Sequence, residues 1–166
     1  SVCATDEVGE LFSRSPYLFN GYWGRPQETA ESFRDGWVTV GDLARRDAEG
    51  YLYIVDRLKD MVISGGVNIY PREVEEVIFQ HPAVLEAAVI GIPDEKWGEV
   101  LKAFVVLRPG EDVGADGLLA FLESRISRMK LPKHVEFIGQ IPRNANRKVL
   151  NTALRAITLR AGPAIT

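Results

Sequence analysis

The spacing of hydrophobic positions changes character near residue 56. Before it, apolar residues come in short runs, 10–13, 37–40 and 51–55, with the length and composition of strands. Arg34-Asp35-Gly36 and Asp47-Ala48-Glu49-Gly50 lie between them as turn signals. Only 27–33 has a helical pattern. Such a segment buries little surface alone and is expected to complete a larger sheet or barrel.

After residue 56, strand and helix patterns alternate. A strand is expected over 59–64, ending in Gly65-Gly66, and Pro71 is placed to open a helix, where its missing N–H costs nothing. Val74, Val77 and Ile78 fall at i, i+3 and i+4 on one stripe of that helix, and His81-Pro82 ends it. The runs 84–92 and 100–107 are rich in Val, Ile and Ala, as central strands are. Leu118, Leu119, Leu122 and Ile126 mark a second helix, 135–138 a further strand and 149–159 a terminal helix. Without an internal repeat, about 100 residues of this kind suit an independent small α+β domain.

Composition narrows the picture. The 166 residues are 46% hydrophobic and 26% charged, an ordinary globular balance. Twenty basic against 23 acidic residues give a formal charge of -3, which argues against nucleic acid or an anionic membrane as partner, since counterion release needs a basic face. The single cysteine, Cys3, can make neither an internal disulfide nor a four-ligand zinc site, so a reducing, cytoplasmic setting is expected. The longest apolar run, 87–92, is too short for an integral membrane segment. The first residues lack the basic start and apolar core of a signal peptide, and lack Met, so the chain is read as a cut from a longer one.

Four segments carry more polar and glycine detail than packing needs. Asp42 follows Thr39-Val40-Gly41; its two acceptor oxygens could bridge neighbouring ribose hydroxyls, or it could cap local N–H groups in a turn. Asp56-Arg57-Leu58-Lys59-Asp60 reads either as a solvated hairpin turn or as a hinge with an arginine fork for a nucleotide. Ser64-Gly65-Gly66-Val67-Asn68-Ile69-Tyr70-Pro71 is either a tight strand-to-helix turn or a glycine loop that a ligand approaches closely, near a helix N-terminus that favours anions. It is no phosphate loop of the nucleotide hydrolases, because no Gly-Lys-Ser/Thr follows. Last, Pro142-Arg143-Asn144-Ala145-Asn146-Arg147-Lys148 is either a basic loop in water or the carrier of a mobile cation, Lys148. His81 and His134 have no acid or nucleophile at useful spacing and read as surface residues. Trp23, Trp37 and Trp97 read as core or interface residues, and no metal-spaced cluster is present.

In order, these segments resemble the C-terminal part of the acyl-adenylate-forming (AMP-binding) enzymes: acyl- and aryl-CoA ligases, peptide-synthetase adenylation domains and beetle luciferase. The resemblance spans about residues 8–156. It starts with Gly9-Glu10-Leu11, Gly21-Tyr22-Trp23 and Asp35-Gly36-Trp37 through Asp42. It continues through Gly50 to Gly66, Asn68-Ile69-Tyr70-Pro71, Ile92-Pro93-Asp94 and Trp97-Gly98-Glu99, and ends in the loop to Lys148. Ser-Gly-Gly-Val-Asn-Ile-Tyr-Pro after Arg-Leu-Lys-Asp is closest to the fatty-acyl and aryl-CoA ligases. Three positions depart from the family pattern: Arg147 stands where Gly is usual, Asn151 where a basic residue is common and Val40 where Thr is usual.

The resemblance implies residues 1–55 as the β-rich end of a large N-terminal domain, and 56–166 as a mobile lid built from a short hairpin plus a sheet of about three strands with flanking helices. It implies an ATP-dependent acyl-CoA ligase acting on a small carboxylic acid, with Lys148 catalytic, Asp42 and Arg57 binding nucleotide and Asp56 as hinge. Ser64, Gly65, Gly66 and Trp97 would line the path of the CoA arm, and Lys130 and Lys133 would meet CoA phosphates. The Mg2+ accompanying ATP would be held mainly by the N-terminal domain, so the 166-residue piece alone is expected to be inactive. Two other readings stay open: an adenylation domain loading a carrier-protein thiol, and a module that only binds.

Overall fold

The computed structural model describes residues 2–160; residue 1 of the expected 1–55 segment and residues 161–166 of the expected 56–166 segment lie outside them. By compactness the chain divides into two units, Ser1–Lys59 and Asp60–Thr166.

In the first unit, β1 (Gly9–Ser13), β2 (Phe33–Arg34) and β4 (Leu52–Arg57) each pair antiparallel with β3 (Trp37–Arg46), and α1 (Pro26–Ser32) precedes β2. Asp35 and Gly36 close the β2–β3 turn with φ of 50° and 78°, the left-handed pair that a two-residue hairpin needs. The strand expected over 37–40 runs on to Arg46, so Asp42 lies inside a strand rather than after one. Gly41, at φ 76°, falls in a register shift opposite β1, between Glu10↔Leu43 and Phe12↔Thr39, which bulges β3 without ending it. Val38, Leu43 and Ala44 are buried, whereas Leu52, Tyr53 and Ile54 of β4 are exposed. Trp23 is fully exposed and Trp37 somewhat less than half so, so neither belongs to the buried core of this unit.

The second unit has three layers. Its central sheet runs β6 (Val67–Ile69), β5 (Val62–Ser64), β8 (Gly98–Leu107), β7 (Val84–Asp94), with β9 (His134–Phe137) parallel to β8. The hairpin β5–β6 and the trio β7–β8–β9 are the expected hairpin and three-stranded sheet, joined at Ser64↔Gly98. α2 (Pro71–Ile78) and α3 (Ala115–Glu123) cover one face, where Val74, Ile78, Leu118 and Leu122 pack with Val89, Leu101, Ala103 and Val105. On the other, Leu154 of α4 (Asn151–Arg160) and Ile141 pack with Ala88, Ile90, Phe104 and Val106. A sheet buried on both faces demands unbroken apolar strands, as β7 and β8 show. Each fully buried leucine contributes about 1.5–3 kcal/mol. The exception is Lys102, 7% exposed, whose Nζ lies 2.7 Å from Glu136 Oε2 and over the Phe104 ring. Burial of a lysine requires such a partner.

Several local expectations are corrected. The strand expected over 59–64 begins only at Val62, because Leu58–Asp60 coil into a single 3-10 turn; that charged run is therefore not a hairpin turn. Gly65-Gly66 does not lead straight into a helix. The two residues, at φ 56° and 82°, close the β5–β6 hairpin, and β6 intervenes before Pro71. The glycine loop therefore does not itself form a helix N-terminus. His81 is not a bare surface residue: its ring meets Phe121 edge-on at 4.8 Å, and its Nδ1 accepts the Ala83 N–H.

Candidate active site

In the first unit the antiparallel register sets Asp42 on β3 opposite Arg57 on β4. Arg57 Nε donates to Asp42 Oδ1 at 3.0 Å, with Arg57 about half exposed. Thr39 braces the turn at Gly41: its Oγ1 accepts the Gly41 N–H at 3.0 Å and donates to Glu10 Oε1 at 2.8 Å. The two proposed nucleotide residues thus sit together, a carboxylate beside a cation. Asp56 pairs with Leu43 on the same strand as Arg57, and its Oδ1 accepts the Arg57 N–H at 2.7 Å. A separate hollow of about 680 Å³ in this unit is lined by Cys3, Gly9, Glu10, Arg34, Trp37 and Arg46 among others, and includes neither Asp42 nor Arg57.

In the second unit the Gly65-Gly66 turn is pressed against Trp97. Gly65 N–H donates to the Trp97 carbonyl at 2.9 Å, and a Cβ on Gly65 would lie 2.6 Å from Trp97 Cε3. Only glycine permits this approach. Glu99 Oε2 accepts the Ile63 N–H at 3.1 Å, where the β5–β8 ladder has opened. Trp97 is itself oriented by Asp94, whose Oδ1 accepts the Lys96 and Trp97 N–H groups, both at 2.9 Å. The Trp97 N–H is the largest cause of a lowered Asp94 pKa; the Lys96 N–H and the Lys133 charge add to it, against a desolvation that raises it.

Lys96 and Lys133 stand 5.2 and 5.1 Å from the Trp97 ring centroid, and Lys133 Nζ is 3.5 Å from Asp94 Oδ2. Ser64, Gly65, Gly66, Trp97 and Lys133 therefore cluster. Lys130 is occupied: its Nζ donates to both Glu73 oxygens, at 2.7 and 2.8 Å, and would meet an anion only by sharing or leaving that carboxylate. Asp94 and Glu99, which the residue pattern did not single out, hold this cluster together; the spacing Asp94-x-x-Trp97 is an aspartate-turn signal that could have revealed the first.

Lys148 ends a tight turn. Arg143 and Val149 form an antiparallel bridge, Asn144 N–H donates to the Lys148 carbonyl, and Asn144 Oδ1 accepts the Lys148 N–H, both at 2.9 Å. Arg147 takes φ 61°, the region where glycine is at ease, which gives a physical reason for glycine's preference at this position. The Lys148 backbone is anchored while its side chain is exposed, with no side-chain ion pair to it among the described residues. Asn151, three residues on, donates from Nδ2 to Asp60 Oδ1 at 2.8 Å. Among the described residues no group of three or more His, Cys, Asp or Glu is placed to hold a metal ion, and no helix is long and apolar enough to cross a membrane.

Comparison with known proteins gives the family of the chain. Residues 73–148 match the AMP-binding enzyme C-terminal domain. A feruloyl-CoA synthase of an Amycolatopsis species is 50% identical over 149 residues, covering 90% of this chain and 30% of the relative. A long-chain-fatty-acid–CoA ligase of Bacillus subtilis is 46% identical over 153 residues, covering 92% and 27%. The structure of o-succinylbenzoate CoA synthetase from Bacillus subtilis, in complex with its acyl-adenylate intermediate, aligns with TM-score 0.86 and 41% identity over 92% of this chain and 31% of that one. The chain thus spans about 30% of the length of the first of these curated relatives. It belongs to the AMP-binding, acyl-adenylate-forming enzymes, and matches their C-terminal portion.

Proposed function

We propose that this chain works as the C-terminal part of a cytoplasmic, ATP-dependent acid–thiol ligase that makes an acyl-CoA from a fatty or aromatic carboxylic acid. The acid's carboxylate attacks the α-phosphate of ATP, releasing pyrophosphate and leaving an acyl-adenylate. The CoA thiol then attacks the acyl carbon, forming the thioester and releasing AMP. In such transfers the protein's contribution is chiefly placement and charge stabilisation.

The observation that carries this reading is Lys148: an exposed ammonium on a backbone held by a bridge and an asparagine clamp. In the adenylation step it offsets the repulsion between carboxylate and phosphate oxygens. Asp42 accepts from the ribose hydroxyls, exchanging part of its pairing with Arg57 for them, and Arg57 turns to the ribose or phosphate side. The lid then rotates about Asp56, withdraws Lys148 and presents Ser64, Gly65 and Gly66, whose small size leaves room for the pantetheine arm beside Trp97. Lys133, and Lys130 once it shares Glu73, meet the CoA phosphates. The described residues hold no cluster suited to Mg2+, which would be held mainly by the N-terminal domain.

The test is acid-dependent pyrophosphate release by the full-length protein, screened over fatty and aromatic acids, followed by thioester formation with free CoA. Saturable thioester formation supports the ligase. Thioester formation only on a carrier-protein thiol, or no pyrophosphate release with any acid, overturns it. The present chain alone is expected to show no ATP–pyrophosphate exchange.

A further inference from the structure

We infer that Arg143 and Glu86 are positioning residues that set where the Lys148 ammonium stands; this rests on the reading of Lys148 given above. The Arg143 guanidinium acts as a fork. Its Nη1 donates to the Arg147 carbonyl at 2.9 Å, and its Nη2 to Glu86 Oε2 at 2.8 Å. The carbonyl it grips belongs to the peptide that leads directly into Lys148, and to a residue at φ 61° whose backbone is not in a relaxed conformation. Glu86 in turn is fixed by the sheet: it lies on β7, in register with Val106 of β8 and next to the buried Ala87. A continuous path therefore runs from the packed sheet through Glu86 and Arg143 to the peptide before the lysine.

Arg143 and Glu86 are each a little over one-third exposed, at 38% and 37%, so the pair itself adds little to folding. Its geometry matters more than its charge. An ammonium on a long flexible stem has to arrive at the reacting oxygens, and misplacing a reacting group by about 1 Å can cost about 10²-fold in rate. The bonds made by Asn144 would survive loss of the fork, so a loss nearer tenfold is expected. Arg143 and Glu86 touch no reactant in this account; they act through Lys148.

The experiment uses the full-length protein carrying this chain. ATP–pyrophosphate exchange reports the first half-reaction, and thioester formation from supplied acyl-adenylate reports the second. Glu86→Gln and Arg143→Met are each expected to slow exchange by about tenfold while leaving thioester formation within about twofold of the unaltered protein. Arg143→Lys keeps the charge but cannot span both acceptors, and should fall between. The swap of Glu86→Arg with Arg143→Glu should not restore exchange, because a carboxylate at 143 cannot donate to the Arg147 carbonyl. Equal losses in both half-reactions, or full rescue by the swap, overturn the positioning role. Unchanged exchange in both single variants, while Lys148→Ala abolishes it in the same assay, overturns this inference and spares the reading of Lys148. A harmless Lys148→Ala overturns both.

Discussion

Gly65→Ala measures how closely the glycine turn and Trp97 are fitted. Gly65 has φ 56°, and a Cβ there would lie 2.6 Å from Trp97 Cε3 and 3.0 Å from Cζ3. Carbon atoms prefer about 3.5–4.0 Å, so the ring has to retreat by about 1 Å. Overpacking of this kind costs about 1–3 kcal/mol. The left-handed backbone costs alanine about 1–2 kcal/mol more, and the stiffer unfolded chain returns about 0.4–1 kcal/mol. The net destabilisation is about 1–4.5 kcal/mol.

Gly66, at φ 82° with nothing within 4 Å, is the internal control. Gly66→Ala meets only the backbone term and should cost about 0–1.5 kcal/mol. Urea denaturation of the chain, followed by far-ultraviolet circular dichroism, compares the two. With Trp97→Ala in the background, Gly65→Ala should lose its excess cost, a coupling of about 1–3 kcal/mol. Equal costs for the two alanines, or strict additivity with Trp97→Ala, would refute the fitted contact.

Three further outcomes follow from the same geometry. Asn151→Ala removes the bond to Asp60 and should cost about 1–2 kcal/mol, read as a lower urea midpoint at unchanged slope. Asp94 has a lowered pKa, so its contribution is fully present above its unfolded value near 3.8 and is lost as pH falls through the lower folded value. Asp94→Asn should therefore reduce stability at neutral pH and flatten the acid limb below about pH 4. Asp47 behaves alike: desolvation pushes its pKa up, but the Tyr53 hydroxyl and the N–H groups of Tyr51, Gly50 and Glu49 outweigh it. Asp47→Asn should flatten the same limb for the first unit.

Much of this was readable from residues alone where period and turn chemistry agree. Val74, Val77 and Ile78 on one stripe gave α2, and the apolar runs gave β7 and β8 because a strand covered on both faces can carry little else. The β5–β6 hairpin was expected only from the family resemblance, since the residues themselves read as one strand running to the glycines and then a helix. A three-residue strand after two glycines leaves no periodicity to detect, so β6 was hidden behind the glycine turn. Asp42 looked like a turn residue because Gly41 precedes it, yet the register shift opposite β1, between Glu10↔Leu43 and Phe12↔Thr39, absorbs the glycine and β3 continues.

The supports of the site were the least visible part. Glu86 and Arg143 lie 57 residues apart and Asp60 and Asn151 91 apart, and only the folded sheet and α4 bring them together. Arg147 could be noticed as a departure from glycine, but its left-handed backbone could not be seen without coordinates.

The central claim is that Lys148 serves adenylation alone. Its most direct test is Lys148→Ala in the full-length protein, assayed separately in each half-reaction. The account predicts that ATP–pyrophosphate exchange falls by about 10²–10³-fold, as when one charge-stabilising donor is removed, while thioester formation from supplied acyl-adenylate proceeds nearly unchanged. Equal loss in both half-reactions, or no loss in exchange, would contradict it.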